Sequence, residues 1–378
     1  KNYLGPGKQN AAGERYYETN GSVLECQEKV RAAVFAGDKP AEDDTYFYGR
    51  GFAALMKSPK GAPFSSKSCY LKMNPDGSVV INMGGAEVGQ GLRMAVQQIA
   101  GEALQIDPAK ISVYREIDTQ YCPWEWQTIG SMFTTQGGRA IIRACNKAIA
   151  VMKETAAKAL LVDVDHLDYD GQRVFLKHDP DLGIPIQRLI HGYITETGIT
   201  IGDVVHTTSD ARLPRYSNPD ADGRGGLGVE YTFGAQACQI RIEKKTGKVL
   251  IDHFASSFDV GTVINPKQIR GQIAGGVMIG LGATLHEEIR YDENGKILNP
   301  SFGKYRFPSI KDAPARQTIE CVENPGEVGP FGARGIGEHP VVGVAPAVLN
   351  AIHDATGIEF TEIPVTPEKL LAALAAKK

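Results

Sequence analysis

The spacing of apolar residues along the chain predicts an alternation of strands and helices. Val23, Val30 and Val34 recur at helical intervals, whereas the residues on both sides of Pro75-Asp76-Gly77 alternate between apolar and polar, as in a hairpin. The predicted strands are 46–54, 68–73, 78–83, 111–117, 233–243, 248–259, 285–291, 296–298 and 357–360. The predicted helices are 22–37, 138–161, 341–352, 367–376 and two that begin at Leu92 and after Pro266.

The order of hairpin, glycine-rich loop and helix occurs twice along the chain. This repetition predicts an α+β fold of two related units, each a mixed sheet with helices. Residues 1–45 are predicted to form an N-terminal arm and helix, 46–162 the first unit and 226–378 the second unit. The polar segment 163–225 shows no cluster of chemically active residues and is predicted to be an insertion or connector.

Glycine-rich loops precede several of the predicted helices. They are Gly84–Gly91, Gly130–Ala140, Gly261–Pro266 and Pro330–Pro340. A loop of this type offers backbone N–H groups and a helix dipole to an anion such as a phosphate. Tight turns, close helix packing and ordinary capping by Ser or Thr explain the same pattern, so both interpretations stay open.

The last of these loops leads into a carboxylate. Gly332, Gly335 and Gly337 precede Glu338, and Pro340 suits the first turn of the helix that follows. Glycines let a backbone approach a bound group closely. Glu338 is therefore either an acid that stabilises a helix N-terminus or a functional group beside a ligand.

Charge and cysteine spacing exclude several classes of protein. The net charge of −3 gives no basic field for nucleic acid or an anionic membrane. No Cys-x-x-Cys pair is present, which opposes a zinc ribbon, a redox dithiol or an iron–sulfur cluster held by this chain alone. The scattered cysteines are typical of free thiols in a reducing compartment, and no signal-peptide pattern opens the chain, so we expect a cytoplasmic protein. The longest apolar run, Ile273 to Leu285, is too short to span a bilayer.

Four segments of the chain resemble, in the same order, the signature motifs of the molybdenum hydroxylases, the family of xanthine dehydrogenases, aldehyde oxidoreductases and nicotinate dehydrogenases. Residues 84–91 resemble Gly-Gly-x-Glu-x-Gly-Gln-Gly, 130–140 resemble Gly-Ser-Arg-Thr-Thr-x-x-x-Gly-x-Ala, and 259–276 resemble Asp-x-Gly-x-x-Ile-Asn-Pro-x-x-x-x-Gly-Gln-Ile-x-Gly-Gly. The fourth, 332–338, resembles Gly-Ala-Arg-Gly-Ile-Gly-Glu. Departures from the family pattern occur at Met132, Phe133 and His339.

The resemblance implies a role for each matching residue. Glu338 takes the place of the family's catalytic base beside the molybdenum, and burial is expected to raise the pKa of its carboxyl. No side chain is expected to ligate the metal directly. The helix N-termini near Gly91 and Gly138 are expected to receive cofactor phosphates. The expected cofactor-binding residues are Gly89, Gln90, Gly91, Gly130, Ser131, Thr134, Thr135, Gln272, Gly335 and Gly337.

A substrate pocket is suggested less directly. Trp124 and Trp126, which a single residue separates, are suited to line a pocket for a flat aromatic ligand. They are equally suited to anchor a half-buried loop.

The resemblance also implies a cofactor and partners. It implies a molybdenum–pterin cofactor, in its cytosine dinucleotide form, and hydroxylation of an N-heteroaromatic (nicotinate- or purine-like) or aldehyde substrate with oxygen from water. The family's Gly-Gly-x-Phe-Gly-Gly and Arg-Gly loops do not occur in this sequence. We therefore expect the C-terminal half of a molybdopterin-binding subunit, with a second half-subunit, a [2Fe-2S] subunit and an FAD subunit as partners.

Two other interpretations remain at this point. A non-catalytic subunit that only cradles the cofactor or assists assembly would use Glu338 merely as a helix cap. A nucleotide-binding oxidoreductase of another type would bind a nicotinamide or a flavin.

Overall fold

The computed structural model describes residues 4–58, 64–214, 217–226, 228 and 230–377. Its strands are β1 (Tyr46–Lys57), β2 (Lys67–Met73), β3 (Val79–Asn82), β4 (Ile111–Val113), β5 (Leu167–Tyr169), β6 (Arg173–Leu176), β7 (Asp179–Pro185), β8 (His191–Ile194), β9 (Thr200–Val204), β10 (His206–Ala211), β11 (Thr232–Glu243), β12 (Val249–Asp259) and β13 (Arg316–Val322). Its helices are α1 (Val23–Val34), α2 (Leu92–Leu104), α3 (Gly138–Leu160), α4 (Pro266–Leu285), α5 (His339–Val342), α6 (Val344–Thr356) and α7 (Pro367–Ala376). Helices and mixed sheets occur throughout the described residues, so the predicted α+β class is confirmed.

One mixed sheet carries the C-terminal part of the chain, in the order β1-β11-β12-β13. β1, β11 and β12 are antiparallel neighbours, and β13 lies parallel to β12. Helix α6 lies so close to β1 that a Cβ atom on Gly49 or Gly51 would overlap carbonyl oxygens of the helix. These two glycines therefore allow the helix to pack on the strand. On the same sheet, α1 contributes Cys26 and two valines to a separate apolar cluster.

A second sheet has the order β10-β2-β3-β4 and packs against α2 and α3 in the largest apolar core. The strand pairing crosses the boundaries expected from the sequence. β1 pairs with β11 rather than with β2, and β10, which belongs to segment 163–225, pairs with β2. The four-part division into domains stays a prediction, but residues 206–211 are an integral edge of the second sheet.

The predicted hairpins β2–β3 and β11–β12 and the terminal helix α7 are confirmed. Other predicted elements are wrong in part, because a short apolar run does not by itself distinguish a strand from a helix or a loop. Segments 285–291 and 296–298 form a single bridge, Tyr291 to Ile297, instead of a hairpin. Segment 357–360 is not a strand, and the strand predicted over 111–117 ends at Val113. The helix predicted over 341–352 is two helices that meet at Gly343.

All six cysteines are unpaired, and four of them are buried, as the sequence led us to expect. Within the described residues, no helix is long and apolar enough to cross a membrane. In the same residues, no three His, Cys, Asp or Glu side chains come together as metal ligands would.

Candidate functional site

The glycine-rich loop before Glu338 is fastened to the end of β12. It begins with a single 3-10 turn, Pro330–Gly332. Gly332 has φ +84°, and its carbonyl oxygen lies so close to Gly261 that a Cβ atom there would overlap it. The N–H of Arg334 donates to the carbonyl oxygen of Val260 at 2.8 Å. These contacts join the third and fourth sequence motifs directly.

A buried ion pair holds the same loop from the other side. Nη1 of Arg334 donates to Oδ1 of Asp259 at 2.8 Å, and both side chains are fully shielded from solvent. The N-terminal arm joins this pair: the N–H of Ser22 donates to Asp259 at 2.7 Å, and Nη2 of Arg334 donates to the carbonyl oxygen of Thr19 at 2.6 Å. The expected N-terminal arm is therefore part of what supports the loop.

The loop also packs tightly against residue 131. Ser131 has φ +60°, a left-handed conformation that is uncommon for a residue with a Cβ atom. Its carbonyl oxygen occupies the space where a side chain at Gly335 would begin. Its Oγ accepts the N–H of Glu338 at 2.9 Å. The second and fourth motifs thus meet at Ser131.

The Glu338 carboxylate does not cap α5, because it accepts no N–H from that helix. Its Oε2 instead lies 2.8 Å from Nζ of Lys57, at the end of β1, and its Oε1 accepts the N–H of Gly130 at 3.1 Å. Lys57 Nζ also donates to the carbonyl oxygen of Gly130 at 2.9 Å. Half of the Glu338 side chain, 52%, remains exposed to solvent. The residue is therefore accessible and held by groups from two other segments.

The expected rise in the Glu338 pKa is wrong. Burial does raise the pKa, but the hydrogen bond and charge of Lys57, with the Gly130 N–H, outweigh it and leave the pKa below its ordinary value. The sequence gives no signal for Lys57 at this site, because this residue lies far from Glu338 along the chain.

His339, where the chain departs from the family pattern, is fully buried beneath this arrangement. Its Nε2–H donates to the carbonyl oxygen of Lys57 at 3.1 Å. Burial, with the nearby Lys57 charge, lowers its pKa to about 4, so the imidazole is neutral at pH 7. His339 therefore supports the backbone of Lys57 without adding charge to the site.

Two adjoining clefts open beside Glu338. The Glu338 cleft, of about 620 Å³, is lined by seven of the residues expected at the site: Gln90, Ser131, Thr134, Gln272, Gly335, Gly337 and Glu338. The α4 cleft, of about 630 Å³, shares Gln90, Thr134 and Gln272 with it and adds Gly91. The Gln272 carboxamide makes no hydrogen bond to the described part of the chain, so its donors and acceptor are available to a ligand. Residues from all four motif segments thus meet at the wall of the Glu338 cleft.

The N-terminus of α2 is not open to a phosphate, contrary to expectation. Oε1 of Glu87 accepts the N–H groups of Gly89 and Gly91 at 3.0 and 2.9 Å, and its Oε2 accepts the N–H of Arg93 at 3.1 Å. These hydrogen bonds hold the pKa of Glu87 below its ordinary value although burial raises it. The Gln90 carboxamide also bonds within the loop, to Val88 and Ala86.

Gly138 is not a helix start either. A π-helical turn, Phe133–Gly137, precedes α3 without a break. A Cβ atom on Gly138 would overlap the ring of Pro330, so this glycine allows the loop that precedes Glu338 to pack on α3. The first helical N–H groups lie nearer Phe133 and Thr134, at the wall of both clefts. A phosphate site at this helix is therefore expected earlier than Gly138.

Several expected residues lie outside the walls of the two clefts. Gly89 belongs to the loop that Glu87 closes, and Thr135 is fully buried. Gly130 reaches the site through its contacts with Glu338 and Lys57. Trp124 is 63% exposed, and Trp126 packs against the edge of Phe64 at 6.2 Å. A substrate pocket at the tryptophans stays a prediction.

Comparison with known proteins gives the family. Residues 25–314 match the model of the molybdopterin cofactor-binding domain. The chain is 29% identical to the probable hypoxanthine oxidase XdhD of Escherichia coli K12 over 90% of this chain and 34% of that protein. It is 28% identical to the 6-hydroxypseudooxynicotine dehydrogenase complex subunit gamma of Paenarthrobacter nicotinovorans, over 95% of this chain and 44% of that protein.

A solved structure shares the fold. CO dehydrogenase from Oligotropha carboxidovorans superimposes with a TM-score of 0.76 and 25% identity over 94% of this chain and 43% of that one. The chain thus spans less than half the length of the relatives it matches. Residues 25–314 accordingly form a molybdopterin cofactor-binding domain, and the chain belongs to the molybdenum hydroxylase family.

Proposed function

We propose that this chain is the C-terminal half of the molybdopterin-binding subunit of a molybdenum hydroxylase, with Glu338 as its catalytic base. The observation that carries the proposal is the position of Glu338. Its carboxylate is half exposed, is not used as a helix cap, and lies at the wall of a cleft that all four family motifs line.

The residues at the clefts fit a molybdenum–pterin cofactor. The Gln272 carboxamide faces both clefts without a partner in the described part of the chain, which suits the hydrogen-bonding edge of a pterin. Gly335 and Gly337 bring backbone to the wall of the Glu338 cleft without side chains. The helical N–H groups near Thr134 suit a phosphate. Since Glu87 fills the corresponding place at α2, the phosphates are assigned to the Thr134 side, in a cytosine dinucleotide form of the cofactor.

When bound, the molybdenum–pterin group supplies two-electron oxidation of the substrate at the metal. The role of this chain is to position that group and to move a proton. The Glu338 carboxylate is ionised at neutral pH, as a general base must be, and its exposed half faces the cleft. Ser131 holds the backbone N–H of Glu338, and Gly130 and Lys57 hold its carboxylate.

The substrate and partners extend the proposal. We infer an N-heteroaromatic or aldehyde substrate. XdhD is named as a probable hypoxanthine oxidase, a second relative as a subunit of a 6-hydroxypseudooxynicotine dehydrogenase complex, and a third as an aldehyde oxidoreductase. The electrons then pass to a [2Fe-2S] subunit and an FAD subunit, which is supported by a relative named as one subunit of a dehydrogenase complex. The remainder of the molybdopterin-binding subunit closes the clefts, and the complex works in the cytoplasm.

The decisive experiment is Glu338→Gln in the complete complex. The amide keeps the volume of the side chain but accepts no proton, so we expect wild-type molybdenum and pterin content with turnover lowered by about 10²–10⁴-fold. The control is Glu359→Gln, an exposed glutamate near the C-terminus, which should retain full activity. Wild-type turnover of Glu338→Gln would favour the alternative, a subunit that only cradles the cofactor.

A further inference from the structure

Lys57 is a charged residue beside Glu338 that the family motifs do not include. Its Nζ lies 2.8 Å from Oε2 of Glu338 and 2.9 Å from the carbonyl oxygen of Gly130. Only 25% of the Lys57 side chain is exposed, compared with 52% for Glu338. Glu338 lines the cleft and Lys57 does not, so the less exposed lysine lies behind the carboxylate.

The backbone of Lys57 is fixed by two independent contacts relative to the loop that carries Glu338, residues 330–339. Lys57 is paired in the sheet with Thr232, whose buried hydroxyl donates to the carbonyl oxygen of Gly335 at 2.9 Å. On the other side, the buried His339 ring donates to the carbonyl oxygen of Lys57 at 3.1 Å. Because Gly335, before Glu338, and His339, directly after it, are both tied to the end of β1, the ion pair is built into the fold rather than formed by two mobile side chains.

We propose that Lys57 is the positioning residue of the catalytic base: it holds the Glu338 carboxylate at the cleft wall in its ionised form and so extends the working range of the base to lower pH. This inference rests on the proposed function, since it assigns Lys57 a role in the same site. The ionisable groups acting on the Glu338 carboxyl are Lys57, from β1, and His339, from α5. His339 is neutral above pH 4 or so, and Gly130 contributes only its N–H.

The contact itself is tested without any turnover. A water-soluble carbodiimide activates the carboxyl and lets an adjacent lysine form an amide, with loss of one water that the reagent takes up as urea. Peptide mapping by mass spectrometry of the treated complex is expected to find a Lys57–Glu338 crosslink. Lys39 and Asp354, an ion pair of the same 2.8 Å length that lines neither cleft, serve as the positive control. A Lys39–Asp354 crosslink without a Lys57–Glu338 crosslink would overturn the proposal.

The role of the contact is tested by the pH dependence of kcat/KM in Lys57→Met and Lys57→Arg. Removing the cation is expected to move the acid limb of the profile to higher pH, so that the variant loses more activity relative to wild type as the pH falls. Arginine keeps the charge and should restore the wild-type limb, which a merely structural role for lysine would not predict. Lys39→Met should leave the profile unchanged.

The outcomes separate this inference from the function on which it rests. A crosslink together with an acid limb that is the same in wild type and Lys57→Met overturns the positioning role, while loss of turnover in Glu338→Gln still supports the base. Full turnover of Glu338→Gln overturns the proposed function, and the role of Lys57 with it. A shifted limb in Lys57→Met that Lys57→Arg reverses supports both.

Discussion

The carbonyl oxygen of Ser131 fills the space where the Cβ atom of any residue other than glycine at position 335 would lie. Ser131 also accepts the backbone N–H of Glu338 at 2.9 Å. A single residue, itself in a left-handed conformation, thus sets the path of the loop that presents the carboxylate. Close approach of two backbones is the property for which glycine is required at this point.

Gly335→Ala is therefore expected to displace the loop from Ser131. Overpacking of this kind costs about 1–3 kcal/mol of folding free energy, and the displaced loop should lose molybdenum and pterin as well as turnover. Gly337→Ala is the matched control for stability alone, since a Cβ atom there would lie 3.6 Å from Ser131 Oγ, an ordinary contact. Thermal unfolding of the two variants checks the loss of stability, and metal analysis of Gly335→Ala checks the loss of cofactor. Equal melting temperatures of the two variants would contradict the prediction.

A second pair of neighbouring glycines, in α4, gives opposite predictions. A Cβ atom on Gly276 would lie 2.6 Å from Cβ of Pro340, whereas one on Gly275 would meet nothing within 4 Å. Gly276→Ala should destabilise the fold by about 1–3 kcal/mol, because α4 can no longer pack on α5. Gly275→Ala should stabilise it by about 0.5–1 kcal/mol, because alanine is the better helix former.

The measurement for this pair is the melting temperature of each variant. A fall for Gly276→Ala with a rise for Gly275→Ala is expected. A fall of similar size in both would mean that the exposed face of α4 is also packed.

Local elements were largely predictable from the sequence, and their partners were not. The alternation around Pro75-Asp76-Gly77 was sufficient for one hairpin, because the two strands are adjacent in the chain. The pairing of β1 with β11, which joins Tyr46 to Glu243, depends on the surfaces of a folded core and leaves no periodic signal.

The same limit applies at the site. The glycines around Glu338 indicated that backbone approaches closely there, and they do pack against Ser131 and Gly261. The direction of the shift in the Glu338 pKa could not be inferred, because Lys57 comes from β1, which is far from Glu338 along the chain. Glu87 belongs to the motif 84–91, but its role could not be predicted. The three backbone N–H groups that it accepts are brought together only by the turn at Gly89 and Gly91.

A buried ion pair supports the loop next to the Glu338 cleft. Lys67 is fully buried and Glu125 nearly so, and Nζ of Lys67 contacts Oε1 of Glu125. Burial lowers the pKa of Lys67 and raises that of Glu125. Lys67→Met leaves the Glu125 carboxyl buried without its cation, and we expect it to cost about 3–5 kcal/mol of folding free energy.

The double variant Lys67→Met, Glu125→Leu distinguishes the charge from the packing. It removes both charges, so it should recover most of the lost stability when unfolding is followed in denaturant. Additive losses in the two single variants and the double variant would mean that the pair does not interact in the folded chain.

The buried imidazole of His339 makes folding stability depend on pH. Its pKa is lowered from 6.5 to about 4 by burial and then by Lys57. Between these two values the unfolded chain binds a proton that the folded chain does not, so protonation favours unfolding. The stabilising contribution is complete above pH 6.5 and is lost as the pH falls toward 4. Between pH 7 and pH 5 the loss from this residue is about 2 kcal/mol.

His339→Gln isolates that contribution. Glutamine can still donate an N–H to the Lys57 carbonyl oxygen but does not titrate, so the variant should lose less stability than wild type between pH 7 and pH 5. His253 and His286, whose pKa values burial also lowers, are present in both proteins and therefore cancel in the comparison. Denaturant unfolding at the two pH values gives the difference directly. Parallel loss of stability in the two proteins would mean that the His339 side chain is hydrated in the folded chain. The backbone of Lys57 would then be held only by the sheet pairing with Thr232.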